Sequence, residues 1–143
     1  MDYKIKLIFT IIPILVDIFL LIILLKINDL STFDIFVILF VLKCHIFFYI
    51  AIWTNDRPLI DILHVTIFIS MFFGFFIDNV YLLSIILLFS IGLQFQWIIL
   101  NKCLLNTEKQ NEKNTYGYSV FTSCITILHS TFISYKLGQK IKN

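Results

Sequence analysis

The sequence predicts an all-α integral membrane protein: a helical bundle of four transmembrane helices, with a fifth apolar helix that spans the membrane or lies at its interface. Composition, hydropathy and run length predict it. Of 143 residues, 59% are hydrophobic and 14% charged, where a soluble domain carries roughly a quarter. Mean hydropathy is +0.95. The apolar residues gather into nearly uncharged runs at residues 7–27, 33–53, 59–77 and 81–100. Each run is close to the ~20 residues that an α-helix needs to cross a ~30 Å hydrocarbon core.

The first run follows Lys4 and Lys6, an order that resembles a signal peptide. Its apolar stretch exceeds the ~7–15 residues of such a signal, and Lys26 follows without a small-residue cleavage site, so it is expected to remain as the first span. Short polar links separate the runs: residues 28–32, then 54–58 with the turn-forming Asn55-Asp56-Arg57-Pro58, then 78–79. Links this short force consecutive helices to pack antiparallel. In the third run, Ser70 and Gly74 make a small-xxx-small patch where another backbone can approach.

Beyond the fourth run, residues 101–114 carry Lys102, Glu108, Lys109, Glu112 and Lys113 and read as a solvent loop. Residues 118–135 are again uncharged, yet Ser119, Thr122, Ser123, Thr126, His129, Ser130 and Ser134 recur at spacings of three and four, which predicts a helix with one small-polar stripe. As a fifth span, its stripe would face the bundle and hydrogen-bond there. As an interfacial helix, it would lie along the membrane surface. Apart from Lys43 in mid-run, four spans put every lysine and arginine on one side except Lys26, as the positive-inside rule favours; five spans carry the tail lysines Lys136, Lys140 and Lys142 across. Both topologies place the N-terminus and the 101–114 loop in the cytoplasm. Residues 1–143 form one membrane domain, with no repeat or linker.

A net charge of +2 without a basic face argues against nucleic acid as a partner. Cys44, Cys103 and Cys124 form no CxxC pair, so no structural disulfide is expected. The signatures GxSxG and HExxH and a glycine-rich phosphate loop are missing, and the expectation is that the chain is not an enzyme and takes no cofactor. His45, His64 and His129 raise the idea of a haem or metal, but no ligand spacing such as HxxxH supports one.

The informative residues are the polar ones inside the runs. Asp17 is the midpoint of the first and Lys43 of the second. Antiparallel packing brings the two to one depth, and an isolated charge there costs at least ~2.5–3.5 kcal/mol, so the pair is expected to join. Pro13, one turn before Asp17, cannot donate to the Phe9 carbonyl and leaves an acceptor nearby. His45, Tyr49 and Trp53 recur at i, i+4 and i+8, and Trp53 reads as an interface anchor. With His45, the residues Asp61, His64, Gln94 and Gln96 are candidates for a polar cluster open toward the cytoplasm; for Asp61, a helix N-terminal contact is the alternative.

At the end of the fourth run, Trp97, Cys103, Leu105 and Glu108 stand in QWIILNKCLLNTEK. This resembles a segment of small polytopic membrane proteins of bacteria and large DNA viruses, in which a Trp-bearing helix runs into a Cys-x-Leu turn and then a Glu. Members often have Pro after the Cys and Thr after the Leu, where this chain has Leu104 and Asn106. The resemblance implies a compact helical bundle and no particular activity. Beside Lys102 at the membrane boundary, Cys103 is a candidate for S-acylation.

These readings point to a non-enzymatic assembly or accessory subunit, working in the bilayer as a homo-oligomer or with a membrane-protein partner. The alternative is a small oligomeric channel or proton-linked permease using the Asp17/Lys43 pair.

Overall fold

The computed structural model describes residues 3–100 and 112–142, all in helices and short connections. The elements are α1 (Tyr3–Lys26), α2 (Thr32–Thr54), α3 (Arg57–Phe73), α4 (Val80–Leu100) and α5 (Glu112–Lys142). They fall into two compact units, Met1–Leu82 and Leu83–Asn143, with the boundary inside α4. The helical class is as the sequence predicts. Two helices, Lys6–Lys26 within α1 and Thr32–Thr54, are long and apolar enough to cross a membrane.

In the first unit α2 packs against both α1 and α3. α1 runs through Pro13 without a break in helix, and Lys26 in its last turn suits the negative end of the helix dipole. Little of α1 is covered. Leu20 and Ile23 are buried, whereas Ile11, Ile12, Leu15, Ile18 and Ile22 all stand exposed. A helix apolar on every side and uncovered on most of them suits hydrocarbon rather than water.

α2 starts at a capping box. The Ser31 hydroxyl accepts from the Asp34 N–H at 3.0 Å, while an Asp34 carboxylate oxygen accepts from the Ser31 N–H at 3.1 Å. The other Asp34 oxygen accepts from the Asp78 N–H at 3.4 Å, which ties the start of α2 to the segment after α3. Asp34 is 1% exposed, and these contacts supply the partners its burial demands. α2 ends at Asn55, whose φ of 57° places it in the left-handed region that asparagine tolerates. Asp56 then caps α3, accepting from the Leu59 N–H at 3.2 Å, with Pro58 in the first turn.

α3 is shorter than expected. The apolar run continues to Ile77, but the helix stops at Phe73 and tightens into i to i+3 bonds, from the N–H groups of Gly74, Phe75 and Phe76 to Met71, Phe72 and Phe73. Gly74 is therefore a capping residue and not part of a mid-helix packing patch. Rings explain what holds this end. Phe73 meets Phe33, Phe36 and Phe40 of α2 at centroid distances of 5.9, 6.0 and 5.4 Å, and Phe76 meets Phe33 at 5.8 Å. These phenylalanines form a ring-to-ring seam between α2 and α3. Beyond them, the Asn79 side chain accepts from the N–H groups of Tyr81 and Leu82 and starts α4.

The second unit holds the rest of α4 and α5. α5 begins at Glu112, inside the stretch read as a loop, and runs 31 residues, well past the expected 118–135. Residues 101–111 of that loop lie outside the described residues.

Candidate functional site

Among the described residues, each unit brings polar side chains together between its helices. In the first, Asp17 of α1 faces two residues of α2 placed one turn apart, so that both look toward α1. His45 Nδ1 lies 2.5 Å from Asp17 Oδ1, and the Tyr49 hydroxyl donates to Oδ2 at 2.6 Å. Both carboxylate oxygens are thereby engaged. The Asp17 and His45 side chains are only 17% and 23% exposed, so the contact sits within the seam. With a protonated imidazole it is an ion pair; with a neutral one it is a hydrogen bond from Nδ1–H.

The seam continues toward the other end of α2. Trp53 Nε1 donates to the Thr10 hydroxyl oxygen at 3.2 Å, and Thr10 in turn donates to the Lys6 carbonyl at 2.8 Å. The Lys6 ammonium lies 5.9 Å from the centre of a Trp53 ring, and the Tyr3 ring meets Trp53 edge to face at 6.1 Å. The indole N–H expected among headgroups is thus spent on α1.

The Asp17/Lys43 pair is not formed. Lys43 is exposed, and among the described residues the ion pair of Asp17 is with His45. Depth is only half of the register. Lys43 and His45 are two residues apart, which turns them by about 200° around the helix axis, so when His45 faces α1, Lys43 faces away.

In the second unit, Ser90 and His129 are buried, with Ser90 Oγ 3.0 Å from His129 Nδ1. The Ser90 hydroxyl donates to the Ile86 carbonyl at 2.9 Å, which leaves its oxygen to accept from the imidazole N–H. One turn on, Gln94 Nε2 donates to the Thr126 carbonyl at 2.9 Å and to the Ser130 hydroxyl at 2.8 Å. Thr126, His129 and Ser130 belong to the small-polar stripe of α5, and these three are where α5 meets α4.

The five residues predicted for a cytoplasmic cluster divide between the units, His45, Asp61 and His64 in the first and Gln94 and Gln96 in the second. His45 is held by Asp17, and Gln94 by α5. Asp61 is exposed, and it stands in the second turn of α3; the capping contact foreseen for it is made by Asp56. The side chains of His64 and Gln96, and all of Cys103, lie outside the described residues.

Sequence reasoning passed over Asp34, Ser90 and the role of Tyr49. The first had a signal in Ser31-x-x-Asp34, and Tyr49 had one in its i, i+4 spacing from His45. Ser90 precedes Gln94 by one turn, so the two form a pair facing the α5 stripe. Set beside protein-family models, characterised proteins and solved structures, the chain matches none.

Proposed function

We propose that this chain is a multi-pass membrane protein without catalytic chemistry, an assembly or accessory subunit whose helices are registered by polar contacts inside the bilayer. The observation that carries the reading is the Asp17 carboxylate. Both its oxygens are used within the α1–α2 hairpin, by His45 and Tyr49. A carboxylate held at both oxygens by side chains one turn apart on the neighbouring helix serves as a clamp, since it fixes the rotation of α2 against α1.

Membrane insertion is supported by α1 and α2, whose outward sides are apolar and uncovered. In this reading the apolar α4 also crosses, α3 completes the fourth passage with the Gly74–Ile77 segment, and the basic residues keep the N-terminus in the cytoplasm. α5 is long enough to cross as a fifth span, with Thr126, His129 and Ser130 of its stripe hydrogen-bonded to α4.

A second reading, a proton-linked permease, draws support from the line Asp17, His45 and Tyr49, followed by Thr10 and Trp53, along one seam. Lys43 has no place in that path.

Liposomes carrying wild-type protein or the Asp17→Asn variant, under an imposed pH gradient, separate the two. The clamp predicts no proton flux from either protein and an earlier loss of detergent-resistant structure in the variant. Flux from wild type that vanishes in Asp17→Asn, with helicity and molecular mass unchanged, would replace the subunit reading with the permease.

A further inference from the structure

Lys43 is left over by the clamp, and its surroundings make that consequential. It lies eleven residues from each end of α2, about 16 Å along the axis from either. A lysine side chain cannot bring its ammonium to a headgroup over that distance by snorkelling. Its neighbours on the same face, Leu39, Ile46, Phe47 and Ile50, are all apolar and 44% to 58% exposed. The opposite side of α2 carries His45, Phe48 and Ile52. A single cation therefore stands at mid-depth in an uncovered apolar helix face, where an unpaired charge is costly.

We infer that this face of α2 docks a transmembrane helix of a different protein, one carrying an Asp or Glu at mid-depth that pairs with Lys43. Charge complementarity sets the sign of the partner. The chain's own composition excludes a second copy as its source. Of nine acidic residues, Asp17 is the one at the middle of an apolar run, and it is taken by His45 and Tyr49. Asp34 is buried in its capping box, and the other seven lie away from the middles of the runs. Leu39, Ile46, Phe47 and Ile50, at i−4, i+3, i+4 and i+7 from Lys43, form the stripe that a crossing helix needs for close packing on either side of the ion pair. The inference rests on the subunit reading and names the chemistry of the partner.

The test uses the full chain in vesicles with labelled single-span probe peptides: polyleucine helices with a central Asp, a central Lys or no central charge. Energy transfer between chain and probe is expected for the Asp probe, about tenfold above the uncharged one. Lys43→Leu should abolish that preference, and Lys43→Asp should transfer it to the Lys probe. Equal association of all three probes, or an Asp preference that survives Lys43→Leu, would overturn the inference. So would self-association of the chain that is lost in Lys43→Leu, because a second copy would then occupy the face. Vesicle flotation and resistance to alkaline extraction report separately on membrane insertion. A chain that floats but ignores the Asp probe loses the docking site alone; one that fails to float loses the subunit reading itself.

Discussion

Asp17 and Asp34 are two carboxylates with different tasks. Asp17 joins two helices side by side, while Asp34 holds one helix start and the segment after α3. Removing Asp17 strands the His45 and Tyr49 donors inside the α1–α2 seam. Asp17→Ala and His45→Ala should each destabilise the chain by about 1–3 kcal/mol, the range for leaving a buried partner unsatisfied. Because the two touch, their effects should fall short of additive in a double-mutant cycle, by about 0.5–3 kcal/mol. Unfolding in mixed micelles reads both quantities, and strict additivity would remove Asp17 from the role of clamp. An acid at the middle of an apolar run was plain in the sequence, as was the level of its partner along α2. Its identity was not, because choosing between Lys43 and His45 needs the rotation of α2, which is set by the packing of Phe48 and Ile52 and not by charge.

At the level of elements, the apolar runs marked each helix to within a few residues, except where chemistry other than hydropathy decides an end. α3 stops at Phe73 because its last turn is taken up by ring packing against α2 and by the Asp78 to Asp34 tie, neither of which shows in hydropathy. α5 starts at Glu112, where Glu112 and Lys113 are good helix formers despite their charge, and a reading by hydropathy takes such charged residues for a loop. The proposed topology predicts sides for the connections. With native cysteines removed, Asn28→Cys and Asn79→Cys should react with a membrane-impermeant maleimide only from the non-cytoplasmic face. Asn55→Cys should react only after the membrane is opened. If Asn55→Cys and Asn79→Cys label from the same side, α3 does not cross and the count of spans falls.

Across the whole chain, the sequence made the all-α class legible through its long apolar runs, a property that survives any detail of packing. The polar contacts were legible only as stripes. Their pairing depends on which helix faces which, and the α5 stripe became a seam only beside Ser90 and Gln94 of α4. Both clusters use the same device, a histidine on one helix meeting an oxygen on the preceding one, with a second polar contact one turn away.

That arrangement divides the carboxylate and its donors between two segments made at different times. When the ribosome has produced α1 alone, Asp17 has neither His45 nor Tyr49, and entry into lipid meets the full penalty of an unmatched carboxylate. Once α2 emerges, the hairpin can enter as one body with the acid already matched. Stalled chains long enough to expose α1 but not α2 from the ribosome should therefore integrate α1 less efficiently than chains long enough to expose both. Asp17→Leu should erase the difference, which a protease-protection assay on stalled ribosome complexes would read. The register clamp of the finished fold is, on this account, also a checkpoint on the order in which the chain is built.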